Sequence, residues 1–147
     1  MRKTTILTTL ALWLSMWCMC GQDLHAQDQA DIKFESMVHD FGTFAVSDPV
    51  QTCEFVFTNV GTAPLVINQA IPSCGCTVPE FSEEPILPGE QGTLKVTYNG
   101  KGKHVGPFKK TVTIRSNAKV ELLRVTIKGV MVADADLLMP SDSTASE

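Results

Sequence analysis

The chain is poor in tryptophan, in tyrosine and in clustered positive charge. Its 147 residues include two tryptophans, Trp13 and Trp17, and one tyrosine, so no tryptophan follows residue 17. Lysine and arginine form no continuous run, and the formal net charge is −4. Proteins that neutralise nucleic-acid phosphates need such basic runs or stripes. We therefore expect no nucleic-acid binding.

Motifs of catalysis are also missing after residue 26. No Gly-x-Ser-x-Gly element, phosphate-cradling loop or clustered carboxylate pair occurs there. His39 and His104 lack the i, i+4 spacing of a helical zinc site, so we expect each to be a turn or surface residue. The sequence predicts neither an enzyme nor a bound cofactor.

Long apolar runs are absent except at the start of the chain. Residues 6–20 are largely apolar and follow Arg2 and Lys3. At about 15 residues this run is shorter than the roughly 20 that a membrane-spanning helix needs. Leu24-His25-Ala26 supplies a small-residue cleavage site. We predict a signal peptide over 1–26, a mature chain that begins at Gln27, and a periplasmic or extracellular location with no membrane span.

Two alternatives to a cleaved signal peptide remain. The apolar run could stay attached as a membrane anchor, or Cys18 or Cys20 could be acylated as in a lipoprotein. Bulky Trp17 and Met19 directly precede these cysteines, whereas lipoprotein processing sites favour small residues. We therefore expect the soluble form rather than the lipid-anchored one.

The remaining chain alternates apolar and polar residues with a period of two, which is typical of half-buried strands. In the segment 52–58, Cys53, Phe55 and Phe57 share one face. Further apolar faces are formed by Leu94, Val96 and Tyr98, by Phe108, Lys110, Val112 and Ile114, and by Leu123, Val125 and Ile127. A β-branched run at 65–71 and shorter strands at 32–35 and 38–44 bring the total to about seven.

Strands with one apolar face bury it by packing as two sheets. We predict an all-β fold, an immunoglobulin-like β-sandwich of about seven strands over 27–133, followed by a disordered polar tail over 134–147. Because no tryptophan follows residue 17, the sandwich lacks the disulfide-and-tryptophan pin of antibody domains.

A set of short motifs falls in the order and spacing of a known family. They are His39-Asp40-Phe41-Gly42, Phe55-Val56-Phe57-Thr58-Asn59-Val60-Gly61, Pro64-Leu65-Val66-Ile67, Ser73-Cys74-Gly75-Cys76-Thr77, Pro88-Gly89-Glu90 and Gly106-Pro107-Phe108. With them the chain resembles the domain-of-unknown-function 1573 family, DUF1573. The resemblance implies an exported bacterial protein with an immunoglobulin-like sandwich, similar to ASH and MSP domains, and implies no activity. Cys53 lies outside the family pattern.

Three cysteines follow residue 26, Cys53, Cys74 and Cys76, so at least one stays unpaired within a monomer. An extended Cys74-Gly75-Cys76 would place two thiolates on one face, about 6.5 Å apart at Cα, and would suit Cu(I). A bend at Gly75 would allow a Cys74–Cys76 disulfide instead. A bridge from Cys53 to either would close a loop of about 21 to 23 residues and stabilise the fold by roughly 3 kcal/mol.

Among these alternatives the sequence favours a structural role for the cysteines. Pro72 and Gly75 are typical of a fixed turn. A metal site or a redox-active pair is less well supported, because Cys-x-Cys lacks the Cys-x-x-Cys spacing that lowers thiol pKa values at a helix N-terminus.

Two further groups of residues are interpreted as structural. We expect Asp40 to hydrogen-bond backbone in a turn and Phe41 to join the core. Lys101, Lys103, Lys109 and Lys110 gather around the glycine-rich segment 99–106, as a solvated loop or as a docking patch for an acidic partner.

The sequence thus leaves two classes of function. The first is a non-catalytic binding or scaffolding module of the bacterial cell envelope, which engages a protein or envelope partner through sheet edges or end loops. The alternative is a thiol-based protein that handles Cu(I) or exchanges electrons at Cys74 and Cys76.

Overall fold

The computed structural model describes residues 28–137, so the predicted signal peptide and residues 138–147 lie outside the described part of the chain. Within 28–137 the chain forms eight strands and one helical turn. They are β1 (Ile32–Phe34), β2 (Val38–Ala45), β3 (Val50–Asn59), β4 (Ile67–Pro72), β5 (Thr77–Phe81), β6 (Gln91–Asn99), β7 (Gly106–Ser116), β8 (Leu122–Val132) and α1 (Asp134–Leu137). No helix among these residues is long and apolar enough to cross a membrane.

The strands form two four-stranded sheets, in the orders β1-β3-β6-β5 and β2-β8-β7-β4. Neighbouring strands run antiparallel, except that β2 runs parallel to β8. The chain crosses between the sheets after β1, β2, β3, β4 and β6. These orders are those of an immunoglobulin constant-type sandwich, with an extra first-strand segment added beside the last strand. The predicted fold class is therefore confirmed.

The core lies between the two sheets and is built from the faces that the alternation predicts. Phe55 and Phe57 of β3 are 3% and 1% exposed, whereas Thr58, between Phe57 and Asn59, is half-buried on the other face. The other strands contribute buried side chains in the same way: Leu94, Val96 and Tyr98 from β6, Val112 and Ile114 from β7, and Val125 and Ile127 from β8.

Three segments differ from the expectation. Strand β5 was not predicted, because Pro79 interrupts its short alternation. Strand β4 begins at Ile67 rather than at Leu65, which forms an isolated bridge to Ile86 instead. The predicted polar tail begins with one exposed helical turn, α1, and the rest of it lies outside the described residues.

Candidate functional site

The family-motif residues of β2 lie along one side of the sandwich. His39 and Phe41 alternate toward the core, and the His39 ring centroid is 4.8 Å from that of Phe41 and 6.4 Å from that of Phe55. The expectation of a turn or surface histidine is therefore wrong for His39, because its place in the alternation turns the ring inward. His104 is exposed, as expected.

Asp40 fixes a bulge in the same strand. Its Oδ1 accepts a hydrogen bond of 2.9 Å from the backbone N–H of Gly42, which has a φ of 66°. Its Oδ2 pairs with Lys128 Nζ at 3.0 Å. The Gly42 hydrogen bond, and next the Lys128 contact, lower the pKa of the Asp40 carboxyl below its ordinary value. This carboxylate therefore has two structural partners, one of them the backbone N–H that the sequence predicts.

Asn59 joins three segments at one end of the sandwich. The side chain is 0% exposed, and its Nδ2 donates to the carbonyl oxygens of Ala63 (2.8 Å) and Ile86 (2.9 Å). Its Oδ1 accepts from the N–H of Gly61 at 3.0 Å. Every strong hydrogen-bonding position of this buried amide serves a neighbouring loop, which is a structural role.

Two more motif glycines lie beside Asn59. A Cβ on Gly61 would collide with backbone atoms of Gln29, Ala30 and Asp31, so only glycine lets the N-terminal segment pack here. Gly89 has a φ of 83° after Pro88, and its N–H donates to the Asn59 carbonyl at 2.8 Å. Asn59, Gly61, Pro88 and Gly89 thus form one structural cluster.

Cys74 and Cys76 form a disulfide with Cα atoms 5.3 Å apart. The chain turns at Gly75, in the crossover between β4 and β5. Cys53 is a free, buried thiol on β3, and burial raises its pKa to about 11. The structure thus contains the bridge that a bend at Gly75 allows, and not one that involves Cys53.

The two cysteines of the disulfide differ in their exposure to solvent. Cys74 is half-buried, whereas Cys76 is 8% exposed. The hydroxyl of Thr77, a residue 2% exposed, lies 3.6 Å from Cys74 Sγ and 4.0 Å from Cys76 Sγ. These two sulfurs are the only hydrogen-bonding partners of that hydroxyl among the described residues. A buried O–H group is therefore directed at the bridge.

As a structural link, this disulfide is weak. With a sequence separation of 2, its loop entropy corresponds to about 1.5 kcal/mol, half of what a bridge from Cys53 would contribute. Gly75 is outside the positive-φ region, and a Cβ there would meet nothing within 4 Å. Unlike Gly61, it is not required by the local packing.

Both sulfurs that could bind Cu(I) are bonded to each other. Within 28–137, no group of three or more His, Cys, Asp or Glu residues is placed to hold a metal ion. The Cu(I) hypothesis for Cys74 and Cys76 thus applies only to a reduced protein.

The four lysines near the β6–β7 loop do not form one patch. Lys101, Lys103 and Lys109 are exposed, and none has a carboxylate within 4.0 Å among residues 28–137. Lys110 differs, because it shares the inward face of β7 with Val112 and is half-buried. The expectation of four solvated lysines is therefore wrong for Lys110.

The β6–β7 loop, which crosses between the sheets, has a fixed base and an exposed tip. The Gly100 N–H donates to the Pro49 carbonyl at 2.7 Å, and the Asn99 side chain accepts from the Lys101 N–H at 3.0 Å. Residues 101–105 are all exposed, including apolar Val105. The loop before β3 also reaches α1, since Ser47 N–H donates to Asp134 Oδ1 at 3.2 Å. We call the loops 46–49 and 100–105 together with α1 the β6–β7 end.

The edges of both sheets on the β4–β5 side are blocked. Asn99 N–H donates to the Cys76 carbonyl, so the alternation leaves the backbone of Thr77 and Pro79 at the free edge of β5. Thr77 N–H bonds to the Cys74 carbonyl at 3.2 Å, and Pro79 has no N–H. On β4 the same argument, from the Ser73–Thr111 hydrogen bond of 2.8 Å, puts Pro72 at the free edge.

The edges on the other side are blocked in different ways. Ser36 Oγ donates to the Val38 carbonyl (2.8 Å) and accepts from the Val38 N–H (3.3 Å), and β2 is then bulged at Gly42. Strand β1 has only three residues, Ile32–Phe34. No edge of the described sheets offers a long free ladder for an added strand.

One protein family matches the chain. The family described as "Protein of unknown function (DUF1573)" matches residues 32–131, which is more than half of the chain. No curated protein sequence matches.

Similar solved structures share the fold at low identity. A protein of unknown function from Porphyromonas gingivalis W83 has a TM-score of 0.61 and 18% identity, over 74% of this chain and 50% of that one, so this chain spans half of its length. The ASH/PapD-like domain 7 of human CEP192 has a TM-score of 0.53 and 11% identity, over 77% and 93%. The VesB protease of Vibrio cholerae has a TM-score of 0.52 and 13% identity, over 71% and 32%. These likenesses concern the sandwich fold and carry no activity over to this chain.

Proposed function

The chain belongs to the DUF1573 family, and from that premise we propose that it is an exported, non-catalytic binding module of the bacterial cell envelope. We propose further that it engages an acidic protein surface through the β6–β7 loop, residues 100–105. The observation that carries this proposal is the contrast between blocked sheet edges and an exposed, uncompensated group of lysines.

Blocked edges argue against one of the two modes of engagement that the sequence leaves open. A partner strand that joins a sheet needs a row of free backbone N–H and C=O groups. Prolines, the Ser36 cap, the Gly42 bulge and the short β1 interrupt that row on all four described edges. The end loops are then the favoured surface.

Charge and exposure favour the β6–β7 loop over the long loop at the other end. Lys101 and Lys103 project from a loop whose base is hydrogen-bonded at Gly100, and Val105 adds an exposed apolar side chain. The long loop at the other end carries Glu83, Glu84 and Glu90. Asp48, Asp134 and Asp136 lie at the same end as the lysines, so the positive charge is confined to the β6–β7 loop itself. Complementary charge steers association, so this loop selects for acidic partners.

Site-specific photo-crosslinking in cells that produce the full chain tests this proposal. A photoreactive residue at Lys103 should give a discrete adduct with an envelope protein, and added salt should lower its yield because exposed charges are screened. The charge reversal Lys101→Glu should lower it as well.

Two matched positions provide the controls. Lys119 is also an exposed loop lysine, but it lies at the other end, and Asn68 is exposed on edge strand β4. The same probe at these positions should give little adduct. Equal adducts at Lys119 would contradict the assignment of the end, and a dominant adduct at Asn68 would indicate binding at a sheet edge.

A further inference from the structure

A second, independent inference concerns the Cys74–Cys76 bridge. We propose that this disulfide is a thiol–disulfide exchange site, which accepts two electrons from a dithiol and forms its mixed disulfide at Cys74. Three features carry this proposal: a buried hydroxyl directed at the sulfurs, a lysine without a carboxylate partner on the adjoining strand, and access from one side.

The hydroxyl of Thr77 stabilises the reduced state more than the oxidised one. A disulfide sulfur is a weak acceptor, whereas a thiolate is charged and accepts a stronger hydrogen bond. Thr77 has these sulfurs as its only hydroxyl partners among residues 28–137, at 3.6 and 4.0 Å. Its O–H is therefore already in place for the thiolate that forms when the bridge is broken.

Lys110 supplies positive charge on the strand that adjoins this turn. The Ser73–Thr111 hydrogen bond of 2.8 Å lies one residue beyond the last β4–β7 pair, and the chain bends away from the sheet at Ser73 and Cys74. Lys110 directly precedes Thr111 on β7, on the side of that bond where Cys74 follows Ser73. Lys110 is half-buried and has no carboxylate within 4.0 Å among the described residues. A neighbouring ammonium lowers a thiol pKa and favours the thiolate.

Access favours attack at Cys74. Cys74 is half-buried, Gly75 is exposed with open space around it, and Cys76 is buried. The third thiol does not take part, because Cys53 lies on β3, two strand spacings or about 10 Å from β5. Burial also keeps Cys53 protonated, with a pKa of about 11.

The exchange proceeds in two steps. A thiolate of the dithiol attacks Cys74 Sγ, the Cys74–Cys76 bond breaks, and Cys76 leaves as a thiolate near the Thr77 hydroxyl. The second thiol of the dithiol loses its proton to water and attacks the first dithiol sulfur, the one bonded to Cys74. Cys74 then leaves as a thiolate on the side of Lys110. The dithiol is oxidised to a disulfide, and the Cys74–Cys76 pair is reduced by two electrons.

The test measures the reactivity of each thiol in the full chain. The reduced protein is alkylated with iodoacetamide over a range of pH, and peptide mass spectrometry reports each cysteine separately. We expect Cys74 to react with a pH midpoint below the roughly 8.5 of an ordinary thiol. Lys110→Gln should slow its alkylation at pH 7 about tenfold, the effect of one pKa unit, and Thr77→Val should slow it about threefold.

Lys109→Gln is the matched control, because Lys109 is the neighbouring lysine on the outer face of β7. It should leave the alkylation profile of Cys74 unchanged, and a merely structural bridge would give the same profile in all variants. The oxidised protein, incubated with reduced glutathione as a probe, should carry the mixed disulfide at Cys74 rather than at Cys76.

A midpoint at or above that of an ordinary thiol would overturn the proposal. So would equal profiles for the Lys110 and Lys109 variants, a glutathione adduct on Cys76 instead of Cys74, or two free thiols in the air-oxidised protein. Circular dichroism of each variant establishes that it is folded before its thiols are compared.

Discussion

The two ends of the sandwich differ in how far hydrogen bonds fix their loops. At the end around Asn59, the buried amide of that residue ties loops from different parts of the chain together, and the exposed Asn117 side chain accepts from Val66 N–H (2.8 Å) and donates to the Pro64 carbonyl (2.9 Å). At the β6–β7 end the hydrogen bonds fix only the base of the loop, and residues 101–105 remain exposed.

Because of this difference, one end stabilises the fold and the other leaves side chains free to bind a partner. A buried polar network holds its surroundings in one arrangement, because breaking it leaves unpaired groups in a low-dielectric interior. Exposed side chains above a fixed base can meet a partner without disturbing the core. Most of the family-motif positions serve the first purpose, and Gly75 between the cysteines is the exception.

The largest expected effect lies in the core next to the Asn59 end. Phe57→Ala should lower the free energy of unfolding by about 3 to 5 kcal/mol, since the ring is fully buried and leaves a cavity. Phe55→Ala should behave similarly, and Thr58→Ala, on the other face, should have a much smaller effect. Urea unfolding measures all three, and equal small losses would mean that the assigned strand face is wrong.

Asn59→Ala tests the amide network directly. It removes the donor to the Ala63 carbonyl, one of two donors to the Ile86 carbonyl and the acceptor of the Gly61 N–H, so we expect a loss of about 3 kcal/mol. Asn99→Ala removes a similar side-chain contact at the exposed β6–β7 end and should lower stability by less than about 1 kcal/mol. If the two variants unfolded at the same urea concentration, the contrast between the ends would not hold.

Two glycines sharpen the same comparison. Gly61→Ala should destabilise the fold by about 2 kcal/mol, because its Cβ would collide with the backbone of the N-terminal segment. Gly75→Ala meets open space and an ordinary φ, so thermal unfolding should change little. A large loss for Gly75→Ala would indicate that the turn between the cysteines depends on glycine.

Replacing both Cys74 and Cys76 by Ser should lower the free energy of unfolding by only about 1.5 kcal/mol, because the bridge closes a very short loop. Adduct formation at Lys103 should persist in this variant, because Lys103 lies at the exposed tip of the loop, whereas the bridge meets its base at the hydrogen bond from Asn99 N–H to the Cys76 carbonyl. Loss of the adduct, in a protein that is still folded, would place the disulfide within the binding surface.

The smallest expected effect on stability is that of Asp40, which lies on β2 between the two ends of the sandwich. The pKa of Asp40 is lowered in the folded protein, so its stabilising contribution is present at neutral pH and is lost as the pH falls through the folded pKa. Asp40→Asn should therefore flatten the acid limb of the stability profile slightly, as measured by urea unfolding between pH 6 and pH 2. An unchanged acid limb would contradict the role of its partners Gly42 and Lys128.

The sequence predicted the strands from apolar residues at every second position, such as Phe55 and Phe57 in β3 and similar sets in β6, β7 and β8, because side chains two apart share a face. The sequence also predicted Asp40 as a residue that hydrogen-bonds backbone in a turn. It did not predict the inward His39, since histidine tolerates both surface and interior, nor β5, whose Pro79 is compatible with an edge strand only.

The sequence placed Lys110 in the otherwise apolar alternating set of β7 but assigned it no function. Its position gains meaning only through the pairing of β7 with β4, which brings Lys110 to the strand end where the chain turns at Cys74. Cys74 lies more than thirty positions earlier in the chain.

By itself the sequence determined the all-β sandwich and the buried face of each main strand, because local periodicity decides which side chains leave water together. The tertiary structure alone decided which cysteines pair, which edges are blocked and which segments lie next to Lys110. These properties depend on the bend at Gly75, on strand order and on register, and strand pairing sets them between residues that are distant along the chain.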